Sequence, residues 1–306
     1  MLRIHRASPM HTIQDLGRFG FAGQGVAQAG PMDSIAACWA NYVLGNHTNL
    51  PLIEIGGGGF SAEFTQAVNF GISGAWGAVS LDGKPLPGPG SYHAKSGDIF
   101  SIGRLSSGIF SYLAVEGGFL VTPVLGSTAT CRRDSLGGSD GDGASLKQGS
   151  EIRYRVSQKR DPFLIPRQYL VSYSAPLVCD VLFRDSMNFD QDAYEIFLNQ
   201  AFTVSKEQSR MGYRLDGECV IEARRPRYSA PIPLGGVQIP PSGQPIVLMR
   251  DHQSLGGYPM IGTLTRRSLS HLAQRAPGNH VSFRTIDRND AFDEFEKYQR
   301  FFGAFR

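Results

Sequence analysis

Glycine and proline interrupt this chain too often for long helices to dominate it. The 306 residues hold 37 glycines and 18 prolines. Most apolar runs between them are about four to eight residues long, the length of strands. That rhythm predicts a mainly β protein with many turns. Strands are expected at 110–115, 178–183, 245–249 and 281–285. Leu81-Asp82-Gly83-Lys84 predicts a hairpin, because Asp-Gly accepts the positive φ of a type I′ turn. Gly97-Asp98 predicts a turn entering a strand at Ile99.

Three short helices are expected. In the first, 34–44, the apolar residues Ile35, Cys38, Trp39, Tyr42 and Val43 fall on one face, with Asp33 placed to cap it and Gly45 to end it. The second covers 191–200 behind Asp190. The third covers 290–302, with Ala291, Phe295, Tyr298 and Phe302 on one stripe. A chain of this length makes one large domain or two medium ones. Segment 157–167, charged at its start and carrying Pro162 and Pro166, is the best boundary. The expected division is 1–160, an N-terminal β domain, and 161–306, a C-terminal barrel domain with a terminal helix.

Charge and cysteine usage exclude several functions. Lys and Arg total 30 against 27 for Asp and Glu, a surplus too small to point to nucleic acid. The densest basic cluster, Arg224, Arg225 and Arg227, is broken by Pro226 and reads as a solvated loop in preference to an anion site. No apolar run reaches the ~20 residues of a membrane span, and the start of the chain lacks a signal-peptide core, so a cytoplasmic protein is expected. Cys38, Cys131, Cys179 and Cys219 are too far apart for a zinc or redox motif. They read as buried free thiols, and no metal is expected.

Five segments could carry chemistry. TIQDLGRFGF (12–21) sets Asp15 and Arg18 among glycines, either a salt-bridged turn or a ligand loop. GPMDSIAACWANYVLGN (30–46) holds Asp33, a helix cap or a catalytic carboxylate. It also holds Asn41, a mid-helix amide that needs partners if buried. IEIGGGGF (53–60) places Glu54 before four glycines. With no Gly-Lys-Ser/Thr after it, a glycine turn is favoured over a phosphate cradle. LAVEGGF (113–119) and VLGSTATCRRDSLGG (124–138) supply Glu116, Ser127, Thr128 and Arg132, the last three candidates for holding an anion. The densest set joins SRMGYRL (209–215) to GGVQIPPSGQPIVLMRDHQSLGGYP (235–259). It brings Arg210, Tyr213, Arg214, Gln238, Gln244, Asp251, His252 and Gln253 within a short stretch of chain. Asp251-His252-Gln253 follows an apolar strand, where a β scaffold presents polar groups. Structural hydrogen bonding at a strand end remains the other reading.

In this order the motifs resemble the bacterial KipA-like family, also called allophanate hydrolase subunit 2 or the C-type subunit of 5-oxoprolinase, within the biotin-dependent carboxyltransferase group. The resemblance covers nearly the whole chain. It implies cyclophilin-like β-barrel domains with a few short helices. It also implies work beside a KipI-like subunit (the B-type subunit of 5-oxoprolinase) and a LamB/YcsF-like subunit (the A-type subunit). The implied reaction is ATP-dependent opening of 5-oxoproline to glutamate, with ATP as a co-substrate of the complex and no biotin attached to this chain. The alternatives are a carboxyltransferase-type subunit for urea or a related amide, and a non-catalytic regulator that binds a KipI-like kinase inhibitor. By resemblance, Asp15, Asp33 and Asp251 would be catalytic. Arg18, Asn41, Arg210, Tyr213, Gln238 and Gln253 would bind the small amide or lactam. The chain departs from the family pattern at Met260, where Lys is common, and at Asp142 and Gly143, where Arg is often found. Ser209 stands where an acidic residue or Asn is common, and Asn279 where Asp is usual. Losing the two cations weakens the hold on an anionic ligand.

Overall fold

The computed structural model describes residues 1–184, 189–217 and 229–303. The chain divides into two compact units. One comprises Met1–Phe19, Ala29–Ser174 and Gln299–Arg306, and the other Gly20–Gln28 and Ala175–Tyr298. The main crossing therefore lies at Ser174, past the proline-bearing segment that marks the boundary in sequence. That segment belongs to the first unit because residues 163–164 pair as a strand with Gly90–Ala94.

The first unit is a ten-stranded sheet. Its spine runs Gly90–Ala94, Val68–Leu81, Ile99–Val115, Phe60–Phe64 and Leu2–Arg6, all antiparallel. The strands 68–81 and 99–115 are long enough to need bending, and their pairing shifts register at three places between Gly74 and Val79. Gly74 sits at φ 86°, where a Cβ would come within 2.5 Å of the Phe110 carbonyl oxygen. Only glycine fits there. The 81–84 hairpin forms as expected, with Asp82 and Gly83 both at positive φ and Leu81 opposite Lys84. Alternating inward residues fill the core, among them Ile4, Ile53, Phe64, Phe70, Phe100 and Leu113. Phe70 meets Phe64 at 5.2 Å and Phe100 at 5.5 Å between ring centroids.

Helix α1 (Ser34–Tyr42) lies on this sheet, with Gly71 making room for the Ala40 carbonyl. Its packing differs from the expected stripe. Ala36, Ala37 and Ala40 are buried with Cys38 and Trp39, while Tyr42 is exposed. Alanine lets the helix backbone approach the sheet closely. The aromatic edge instead gathers Trp39 and Tyr42 with Tyr169, Phe301 and Phe302.

The second unit is a closed seven-stranded barrel. Its order is Leu177–Phe183, Met260–Leu264, Gly236–Gln238, Ile246–Leu248, Gly212–Asp216, Phe202–Gln208 and His280–Thr285. The last strand closes the ring by pairing parallel to the first. Helix α2 (Gln191–Leu198) begins on the Asp190 cap and inserts Phe197, stacked on Phe283 at 4.4 Å. Helix α3 (Arg266–Ala273) adds to the three helices expected. Thr265 caps it, and Leu269 and Leu272 bury its inner face. The final helix, α4 (Arg288–Phe302), starts two residues ahead of its expected position. Cys38, Cys131 and Cys179 are buried thiols outside any disulfide, while Cys219 and the Arg224, Arg225 and Arg227 cluster lie outside the described residues. Among the described residues no helix is long and apolar enough to cross a membrane.

Candidate functional site

The nine residues singled out from sequence divide between the units. Asp15, Arg18, Asp33 and Asn41 fall in the first, and Arg210, Tyr213, Gln238, Asp251 and Gln253 in the second.

Asp15 and Arg18 meet the same segment of chain. Asp15 is buried and accepts four hydrogen bonds. Its Oδ1 takes the Gly17 amide at 2.9 Å and the Ser127 hydroxyl at 2.5 Å. Its Oδ2 takes the Thr128 amide at 2.6 Å and the Thr128 hydroxyl at 3.1 Å. Ser127 and Thr128 are thus committed to a carboxylate of the chain itself. Arg18 donates to the carbonyls of Val124 at 3.3 Å and Ala129 at 2.8 Å. It is 3% exposed, and its Nη1 has no partner among the described residues. Together the two residues clamp 124–129 against the first loop.

Asp33 belongs to a different cluster. Its Oδ1 caps α1 by accepting from the amides of Ile35 and Ala36 at 3.1 and 3.0 Å, and its Oδ2 accepts from the Tyr173 hydroxyl at 3.1 Å. Alongside lies Glu54, which the sequence marks only as the residue ahead of a glycine run. Its Oε2 accepts from the Met32 amide at 2.6 Å and the Tyr112 hydroxyl at 2.9 Å, and that hydroxyl accepts from the Asp33 amide at 2.7 Å. Burial holds the Tyr112 phenol well above its usual pKa, and the charges of Glu54 and Asp33 push it the same way. Two carboxylates and two tyrosines therefore meet around the start of α1. Asn41, fully buried, donates to the Leu50 and Thr48 carbonyls and accepts from Asn46. It pins the loop after α1.

The glycine run behind Glu54 is a turn. Gly57, Gly58 and Gly59 all lie near φ +70°. The amides of Gly56, Gly57 and Gly59 donate to the carbonyls of Met10, Ile109 and Gly103. Three of the four amides of the run are thus spent on the chain.

In the barrel unit, Arg210 and Asp251 form a bidentate pair, Nε to Oδ2 at 2.8 Å and Nη2 to Oδ1 at 3.0 Å. The Asp251 amide also donates to the Arg210 carbonyl at 2.7 Å. Such a fork fixes both side chains in one geometry. His252 directs Nδ1 at the Gln253 carbonyl at 2.7 Å. A carbonyl only accepts, so the proton sits on Nδ1. Gln253 itself is exposed. Tyr213 is buried elsewhere, its hydroxyl on the Ala273 carbonyl at the end of α3.

Gln238 differs from all of these. It is 3% exposed, and its side chain makes no hydrogen bond among the described residues, with Nε2 fully enclosed. Gly256 lies against it, where a Cβ would come within 2.7 Å of Nε2. A buried amide without a partner costs about 1–3 kcal/mol, so Gln238 keeps an unspent donor whose retention calls for an explanation. Among the described residues no group of three or more His, Cys, Asp or Glu is arranged to hold a metal ion.

Residues 24–285 match the family described as the carboxyltransferase domain, subdomains A and B. The chain is 33% identical to the C-type subunit of 5-oxoprolinase from Haemophilus influenzae over 92% of this chain and 89% of that protein. It is 33% identical to the Escherichia coli protein of the same name over 99% of this chain and 96% of that protein. Urea amidolyase of Saccharomyces cerevisiae is 28% identical over 89% of this chain, which spans only 16% of that enzyme. Among solved structures, TTHA0988 superposes with a TM-score of 0.81 at 30% identity, covering 92% of this chain and 55% of the other. The Kluyveromyces lactis urea amidolyase superposes over the whole chain with a TM-score of 0.90 at 24% identity. The chain thus spans about half of TTHA0988 and a fifth of the yeast enzyme.

Proposed function

This chain belongs to the carboxyltransferase family of subdomains A and B, and from that premise we propose that it serves as the C-type subunit of an ATP-dependent 5-oxoprolinase. In this reading it acts with a KipI-like subunit to activate the lactam, and a LamB/YcsF-like subunit then opens the ring to give glutamate. The observation that carries the reading is the likeness, along nearly the whole length, to two proteins named as C-type subunits of 5-oxoprolinase.

The chemistry of the reaction sets what this chain must supply. An amide is a poor electrophile, and phosphorylating its oxygen creates a leaving group and an activated carbon. The protein must grip a small, highly polar ring while its N–H proton passes to a base of the complex, which puts negative charge on that oxygen and makes it the nucleophile toward the γ-phosphoryl group, with ADP leaving. Gln238 offers an enclosed N–H donor with no competing acceptor, suited to the lactam oxygen. Arg210, held by Asp251, presents a fixed guanidinium for the carboxylate of the substrate. Asp251 then orients Arg210 through the bidentate pair. Asp15 and Asp33 contribute by holding loops of the first unit in place. Three of the four amides of the 56–59 turn are spent on the chain, and in this reading ATP is a co-substrate of the complex.

A second reading, a carboxyltransferase-type subunit for urea or a related amide, is favoured by the urea amidolyase relatives. It needs the same donor for an amide oxygen. Replacing Gln238 with leucine tests the site assignment in the assembled enzyme. The expected result is a KM for 5-oxoproline raised at least about tenfold, the loss of one hydrogen bond to a polar ligand. The melting temperature should be unchanged or higher, since an unsatisfied amide is removed. Unaltered steady-state constants would remove Gln238 from the substrate site.

A further inference from the structure

The segment that marks the domain boundary in sequence forms a strap over the first unit's sheet, and a cavity of about 290 Å³ lies beneath it. Asn69, itself 2% exposed, builds the near anchor. Its side-chain amide donates to Glu116 and to the Gln158 carbonyl, both at 2.7 Å, and its oxygen accepts from the Arg160 amide at 3.2 Å. Its backbone amide donates to the Ser157 hydroxyl at 2.8 Å. The far anchor is strand pairing of Phe163 with Ser91 and the Ile165 amide on the Pro89 carbonyl. Between the two anchors, Arg160 and Asp161 bridge the cavity, with Pro162 keeping the bridge stiff.

The charges on this bridge are not balanced. Arg160 is neutralised by Glu116 at 2.5 Å and also donates to the Leu44 carbonyl at 3.3 Å. Asp161 has no hydrogen bond or ion pair among the described residues. The Ser91 hydroxyl also has no protein partner there. The rest of the lining is apolar Val43, Leu44 and Phe163 together with Asn69 and Tyr92, whose polar atoms are bonded within the chain. We propose that this cavity is a binding site for a small aliphatic primary amine, its ammonium on Asp161 and Ser91 and its hydrocarbon chain on the Leu44–Phe163 wall. A pre-anchored pocket of this size, part apolar and with few uncommitted polar groups, lies at the lower edge of small-molecule sites. The single uncommitted carboxylate sets the charge of the guest. The site lies wholly within the first unit and stands apart from the reaction assigned to the chain.

Ligand-observed saturation-transfer NMR on the full chain tests this, with n-butylammonium chloride as probe and sodium butyrate and n-butanol as comparisons. Saturable transfer to butylammonium is expected, none to butyrate, and affinity lowered about tenfold in Asp161→Asn. Asp140→Asn, which changes an exposed carboxylate elsewhere in the unit, should leave binding intact. Because Asp161 is exposed and unpartnered among the described residues, its variant should melt with the wild type, which separates lost binding from lost fold. Absence of saturable binding, equal binding by Asp161→Asn, or butyrate binding as well as the amine would overturn the proposal.

Discussion

Replacing Asp15 with alanine should cost the first unit more stability than any surface change. The carboxylate is enclosed and receives four hydrogen bonds from Gly17, Ser127 and Thr128. The two hydroxyls can turn to other acceptors, but the Gly17 and Thr128 amides cannot. Two buried donors left without partners cost about 1–3 kcal/mol each. After partial relaxation the two together come to about 3–4 kcal/mol. For a unit of this size each kcal/mol lowers the melting temperature by about 2–4 °C, giving a drop of about 6–16 °C. Asp15→Asn should fall about halfway, because its NH₂ would face the Thr128 N–H, donor against donor. Differential scanning calorimetry on the isolated chain reads this directly, without substrate or partner. An Asp15→Ala protein that melts within about 2 °C of wild type would refute the view that this carboxylate holds residues 124–129 in place.

Other outcomes follow from the same geometry. His11 accepts the Ser8 amide on Nδ1 and contacts the Gly58 carbonyl through Nε2, so it folds neutral. Burial lowers its pKa, partly offset by backbone hydrogen bonds. The unfolded chain therefore binds this proton first. Stability should decline as pH falls below about 6.5, by at most about 1.4 kcal/mol per pH unit, and His11→Gln should flatten that limb of the urea-unfolding profile. Asp180 binds Arg284 and Arg267, and Arg267 also meets Glu294 on α4. Burial raises the Asp180 pKa, but the two arginines outweigh it and the net direction is down. Its contribution should persist above about pH 4 and vanish as the pH falls through its folded pKa, which acid titration of wild type against Asp180→Asn would show. Gly58→Ala should destabilise by about 1–3 kcal/mol in chemical denaturation, since φ there is +70° and the new Cβ would strike the Gly103 carbonyl.

What can be read in the sequence are features that depend on near neighbours. Asp33 as the cap of α1, the 81–84 hairpin and the strand entered at Ile99 each follow from residues within one turn of each other. Helix α3 escapes because its first residues are two arginines and its apolar content is low. Its stability comes from Leu269 and Leu272 docking on the barrel unit. The roles of the site residues are harder still. Asp15 is satisfied by Thr128, 113 positions away, and Glu54 by Tyr112, 58 positions away. No local pattern announces such partners. Asn41 illustrates the same limit in reverse. Sequence shows that a buried amide there needs partners, and folding supplies them from its own loop. Gln238 can be placed by resemblance, but its lack of partners is a property of packing alone.

The most direct test is glutamate release in a reconstituted mixture of this chain with the KipI-like and LamB/YcsF-like subunits proposed as its partners, ATP and 5-oxoproline. Glutamate should form in step with ADP when all three proteins are present and cease when this one is left out. A stable complex that yields no glutamate from 5-oxoproline under ATP, or one that yields as much without this chain, would contradict the assignment.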